Sequence, residues 1–334
     1  MYLNNEASQS VFLYNVSSIN TDQKLYKQVI ISNMLHAKFL LNKNILNLDV
    51  FNQIHLGLKE ILKRLENGVI KIDPSSTNIQ CFIKDTLAYY IDDISKNLDI
   101  EKNYEAELNL SIKLYIDTQI NNMISSLCSV KEILSLNADL TKDEFIENFV
   151  PHFNDSLFNH LLGYSNIFAD DIDRLNDYKK RNNIVSLINN NETNIIDGKE
   201  NAFDEVNLNP SMLEQLNYLL DIDYILEVSS AMSIIVMHVN KLIEEFLLFN
   251  STNHKFIQFS TPNCFCNDKT KIRDFLHLKG LRISGNTIKL FSSTNLNTKV
   301  YLTENLENIF DTIDNSLTCV EILKQILLTV KVEI

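Results

Sequence analysis

The chain has 334 residues, 45% of them apolar, and a formal charge of −13 from 30 basic and 43 acidic side chains. That length and apolar content bury a large core, which excludes a disordered tail. With no compensating basic stripe, a surface that follows nucleic-acid phosphates is excluded, and an anionic membrane would repel the protein.

Glycine numbers 6 and proline 4, too few for the clustered glycines of phosphate-binding loops and dinucleotide fingerprints, so no cofactor is expected. The opening "MYLNNEASQSVFLYN" has no basic stretch followed by an apolar one, and no run of about 20 apolar residues occurs anywhere. Cys81, Cys128, Cys264, Cys266 and Cys319 are odd in number and mostly isolated, which fits a reducing compartment better than a disulfide framework. The expectation is a soluble, unprocessed, cytoplasmic chain.

Apolar residues recur at three and four from Leu25 to Asn47, and again from Asp49 to a stop at Gly68, predicting two amphipathic helices. "KIDPSSTN" is the clearest loop in this region. Three longer helices are predicted over Tyr104–Ser135, Ser156–Ile184 and Ser211–Phe249. The last is apolar nearly all round between Glu227 and Lys241 and must be covered on most sides, within a bundle or by neighbouring subunits. An asparagine-rich stretch with Pro210 connects the second to the third. Two more helices are predicted near Lys271–Leu290 and Glu304–Val330. The class is all-α, with long helices packed near-antiparallel. An N-terminal helical domain covers 1–102 and a central long-helix bundle 103–334.

Five phrases in a fixed order carry a resemblance: "LHAKFLL" (Leu35–Leu41), "NHLLGYSNIFADDIDRLNDYKKRNN" (Asn159–Asn183), "DIDYILEVSSAMSIIVMHVNKLIEEFLLFNS" (Asp221–Ser251), "RISGN" (Arg282–Asn286) and "IFDTIDNSLTCVEIL" (Ile309–Leu323). Together they resemble the argininosuccinate lyase branch of the fumarase/aspartase superfamily over about residues 10 to 330. The resemblance implies a three-domain helical protein whose central helices join one bundle across a homotetramer. The family's C-terminal helical domain would begin where this chain ends, so that domain is expected to be absent.

Members of that family eliminate an amine or guanidinium group from an N-succinyl substrate and release fumarate. Such chemistry needs a base, donors for the developing aci-carboxylate and an acid for the departing nitrogen. The family's His-Thr-Gly-Arg-Ser-Arg-Asn-Asp aligns with "DIEKNYEA" (Asp99–Ala106), where Lys102 and Tyr104 replace both arginines. The planar fork that grips a carboxylate in two places is gone. Thr-His-Leu-Gln falls on Glu147–Val150 without a gap; a short deletion brings Pro151–Asn154 into register and puts His152 in the histidine's place.

The mobile Gly-Ser-Ser loop of the family, which carries its serine base, aligns with "STPNCFCNDKT". Thr261 and Pro262 stand where the serines would be, leaving Cys264, Cys266 and Lys269 as candidate chemical groups. A metal role for the cysteine pair finds only one close pair, against the repeated pairs of structural zinc, and no metal is expected. Tyr-Asn-Lys-Asp-Leu-Gln-Glu-Asp aligns with "YLTENLEN" (Tyr301–Asn308), keeping Tyr301 and Glu304 but replacing the lysine by Thr303. Lys102, Tyr301 and Glu304 are thus the candidate substrate-binding residues.

Packing phrases survive while chemical ones change. The leading expectation is a catalytically degenerate family member acting as an oligomeric scaffold or regulatory subunit, as a homotetramer or in a mixed oligomer with an active homologue. The competing expectation is a carbon–nitrogen lyase with a remodelled site, using His152 with Lys269 or a loop cysteine on an N-succinyl or dicarboxylate ligand.

Overall fold

A computed structural model describes residues 18–141, 156–182, 222–251, 257–262, 265 and 268–332. The described elements are helical apart from one short pairing. α1 (Ile19–Asp22) and a 3-10 turn (Gln23–Leu25) lead into α2 (Tyr26–Asn42), α3 (Leu48–Glu66) and α4 (Ile79–Ile91), and a second 3-10 stretch follows at Asp92–Asp99. α5 (Tyr104–Asp139), α6 (Leu157–Arg181) and α7 (Asp223–Ser251) are the long helices. β1 (Ile257–Gln258), α8 (Lys269–Ser292), α9 (Thr298–Leu327) and β2 (Lys331–Val332) complete the order. Of the helix predicted over Ser211–Phe249, the part before 222 lies outside the described residues.

Helix ends follow local chemistry. Asn47 caps α3 by accepting the Val50 N–H at 2.8 Å, and Asn78 caps α4 through the Cys81 N–H at the same distance. Past the end of α3, Gly68 takes φ +67°, a left-handed turn that glycine adopts without steric cost. α4 has no counterpart among the predicted helices, although Ile79, Phe82, Ile83 and Leu87 have helical spacing and are buried.

The chain forms two compact units. The described part of the first is 18–118 with Leu296–Leu306. Its core is built from the apolar faces of α2 (Val29, Ile30, Leu40), α3 (Ile54, Leu58, Ile61) and α4 (Phe82, Ile83, Leu87). In the second unit, α7 packs against both α6 and α8. α7 buries Tyr224, Met232, Val236, Phe246 and Phe249 among others, while Met237 and Leu248 stay exposed.

Several polar ties between helices of the second unit fall on the phrases that carry the resemblance. His160 on α6 lies 2.9 Å from Glu245 on α7, and Asp171 accepts from His238 at 2.7 Å while also pairing with Arg174. Farther along, Arg181 pairs with Glu227. Between α8 and α9, Arg282 and Asn286 both reach Asp311, at 2.6 and 2.8 Å, and Lys279 reaches Asn315 at 2.5 Å. The one pairing of extended chain among the described residues is antiparallel, with Ile257 opposite Val332 and Gln258 opposite Lys331.

Gly57 lets α3 approach α4 closely: a Cβ there would sit 2.8 Å from Leu87 Cδ1 and 3.4 Å from Ile91 Cγ2. Leu87 is buried and has little room to yield. Gly57→Ala is therefore expected to destabilise the fold by about 1–3 kcal/mol through overpacking. An unchanged thermal or urea midpoint would contradict this close packing.

Candidate functional site

A cleft of about 700 Å³ lies within the first unit. One wall is the segment Lys102, Asn103, Tyr104 and Glu105, and another is Lys299, Thr303 and Leu306 of α9. Two of the aligned chemical stretches, "DIEKNYEA" and "YLTENLEN", thus meet around one opening. The rest of the lining includes Ser18, Asp22, Asn78, Gln80 and Cys81. These residues have no place in the sequence-based assignment. Only Asn78 gave a usable local signal, as a capping residue ahead of an apolar helical period. Asp22 bonds a backbone amide 57 positions along the chain, and no local pattern announces such a contact.

Asp22 is 3% exposed and stands at the N-terminus of α4, where its carboxylate accepts from Ser18 Oγ at 2.6 Å and from the Ile79 N–H at 3.1 Å. Burial raises its pKa above the usual carboxylate value, against the pull of both hydrogen bonds. Tyr104 donates to Asp99 at 2.8 Å, and Lys84 pairs with the other oxygen of Asp99 at 2.7 Å. His36 is bonded to the carbonyl of Ile100 at 3.0 Å and Lys43 pairs with Glu101 at 3.4 Å. The loop that enters the cleft wall is therefore tied down residue by residue.

Lys102, the residue standing in for an arginine, turns into the protein. Its ammonium donates to Asn33 Oδ1 at 2.6 Å and lies 3.2 Å from Glu107 Oε2; Asn33 in turn donates to Glu107 Oε1 at 2.5 Å and to the Val29 carbonyl at 2.7 Å. The side chains of Lys102 and Glu107 are each only 6% exposed. Burial raises the pKa of Glu107, and the Lys102 charge with bonds from Lys102, Asn33 and Gln80 only partly offsets that. The pair is thus matched in charge yet opposed by desolvation.

Tyr301 is fully buried, and its hydroxyl has no hydrogen-bond partner among the described residues; burial pushes its pKa up to about 12. Glu304, one turn further along α9, is exposed. Neither lines the cleft. Lys269, in the second unit, donates to Asn250 Oδ1 at 2.9 Å and lies 4.5 Å from the centre of the Phe259 ring. His152, Cys264 and Cys266 lie outside the described residues. No group of three or more His, Cys, Asp and Glu able to hold a metal ion occurs among the described residues. No helix among them is long and apolar enough to cross a membrane.

No family model matches the chain. It is 30% identical over 321 residues to the argininosuccinate lyase of Clostridium botulinum (strain Alaska E43 / Type E3), covering 89% of this chain and 67% of that protein. To the argininosuccinate lyase of Clostridium beijerinckii it is 29% identical over 336 residues, covering 95% and 72% respectively. Among solved structures, β-carboxy-cis,cis-muconate cycloisomerase from Acinetobacter calcoaceticus sp. ADP1 superposes with a TM-score of 0.68 at 13% identity, over 93% of this chain and 74% of that one. A fumarate lyase:delta crystallin from Brucella melitensis gives 0.68 at 12% identity, over 99% and 84%.

Removing the Lys102 charge leaves Glu107 buried and unpaired. Lys102→Met is expected to cost about 3–5 kcal/mol at neutral pH. A carboxyl whose pKa is raised by folding contributes its stability below its unfolded value, 4.5 for Glu107, and loses that contribution as pH rises through the folded value. The variant raises the folded value further, so its deficit narrows as the solution is acidified toward that range. Adding Glu107→Gln restores much of the loss at neutral pH. Urea unfolding across pH checks this; a pH-independent deficit would contradict the pairing.

Proposed function

We propose that this chain, which belongs to the argininosuccinate lyase family of the fumarase/aspartase superfamily, serves as a non-catalytic oligomeric scaffold or regulatory subunit. The observation that carries this reading is Lys102. Where the family has a guanidinium for the substrate's carboxylate, this chain has an ammonium already paired with Glu107 and bonded to Asn33. A dicarboxylate would have to displace that pair and strand a buried carboxylate. The cleft also presents Asp22 and Glu105 to any anion that entered it. Replacement of the serines by Thr261 and Pro262 supports the same reading, because proline lacks the N–H and fixes its own φ.

Assembly is supported by the outer face of α8. Leu278, Leu281, Ile288 and Phe291 are 66%, 70%, 66% and 50% exposed, spaced by three, seven and three residues along one helix. That spacing makes a continuous apolar seam of the kind one helix lays against another. A water-facing seam of this kind calls for a cover, and a homotetramer, or a mixed oligomer with an active homologue, supplies one.

Purified protein given argininosuccinate, adenylosuccinate and related N-succinyl compounds should release no fumarate. Turnover that disappears in His152→Ala would overturn the scaffold reading in favour of a carbon–nitrogen lyase with a remodelled site. By native mass measurement the protein should be a tetramer, alone or with an active homologue; a stable monomer would contradict assembly through the seam. In the oligomer, Leu281→Glu should dissociate the subunits.

A further inference from the structure

We infer that the segment 257–262, which leads into the place of the family's serine loop, is a strap latched shut by the C-terminal strand, with Thr329 as the latch. The strap lies in the second unit and is held at three points. Its start pairs with β2, Ile257 opposite Val332 and Gln258 opposite Lys331. Just beyond the pairing, Thr329 Oγ1 accepts the Ser260 N–H at 3.0 Å and lies 3.2 Å from the Ser260 carbonyl, with the Ile326 carbonyl at 2.8 Å as the competing acceptor for its one proton.

From the other side, Asn250 at the end of α7 binds both ends of the strap's surroundings. Its amide donates to the Ile257 carbonyl at 2.8 Å, and its oxygen accepts from Lys269 at the head of α8. Lys269 also covers the ring of Phe259, which packs on Phe246 with centroids 6.3 Å apart. Phe259 and Thr261 are 5% and 6% exposed and Ile257 is fully buried, so alternate side chains of the strap are core residues while Ser260 faces out. Moving the strap would strip these contacts from water-excluded ground.

The anchors are not equivalent. Phe259, Asn250 and Lys269 are built into helices or their packing and leave only when the unit loosens. β2 is two residues long, so it has few contacts of its own to lose. β2 is therefore the release point, and Lys269, a candidate for chemistry by sequence, is a rivet in the latched arrangement. This inference does not require that turnover be absent, and its readout is independent of fumarate release.

Hydrogen exchange followed by NMR on the full chain tests it at one amide. In the wild type, the Ser260 amide should exchange far more slowly than in an unstructured chain. Thr329→Val, which keeps the shape and removes the hydroxyl acceptor, should speed Ser260 exchange about tenfold, the scale of one lost hydrogen bond. Thr329→Ser, which keeps the hydroxyl, should preserve protection, and amides of α6 and α7 should be unchanged in both variants. Fast exchange of Ser260 in the wild type, or no change in Thr329→Val, would overturn the latch. Loss of protection along α6 and α7 together with Ser260 would also overturn it, since Thr329 would then be holding the whole unit.

Discussion

A buried ammonium needs an anion beside it, and the way Lys102 meets that need shapes the first unit. Its partners come from two elements: Asn33 on α2 and Glu107 in the first turn of α5. Holding the charge there draws the segment before α5 against the helices, and Lys84, Lys43 and His36 fasten the neighbouring residues Asp99, Glu101 and Ile100. The cleft keeps its volume, but the cation that would recognise a carboxylate faces away from a ligand's needs. Net charge works in the same direction, because a chain at −13 attracts no dianion at long range.

In the second unit the governing constraint is the apolar girth of α7. It is covered by α6 and α8, and the register of the α6–α7 pair is written in polar ties at His160–Glu245, Asp171–His238 and Arg181–Glu227. Asp171 is fully buried and is held by two partners, Arg174 and His238, so losing either leaves one of its oxygens without that contact in a water-excluded place. Burial opposes ionisation of Glu245, yet hydrogen bonds from His160 and Tyr164 hold its pKa below the usual value. Its share of stability is present at neutral pH and is lost as pH falls through that lowered value. The scaffold is thus specified by polar registry as much as by greasy area.

Much of this fold is legible in the sequence because helices announce themselves by period. The helix expected over Leu25–Asn47 becomes α2, which stops at Asn42, and Lys271–Leu290 becomes α8 with two further residues at each end. α4 is hidden by the polar run before it, which draws attention to the loop and away from the spacing of Ile79, Phe82, Ile83 and Leu87. The β1–β2 pair is invisible because two residues cannot show alternation. At the cleft, alignment places Lys102 at its wall, but no sequence pattern reveals that Asn33, 69 positions away, has already engaged its ammonium. Contacts of that range are made by topology and leave no local trace.

On the proposed reading, Lys102 is held by its own chain and is not available to a dicarboxylate. The side-chain ammonium resonance of Lys102 in the 334-residue chain can be followed while fumarate is added at neutral pH. The resonance should stay in place up to fumarate concentrations on the order of 1 mM. A saturable shift, with the Glu107 carboxylate responding in step, would show that the pair opens for a ligand and would contradict that reading.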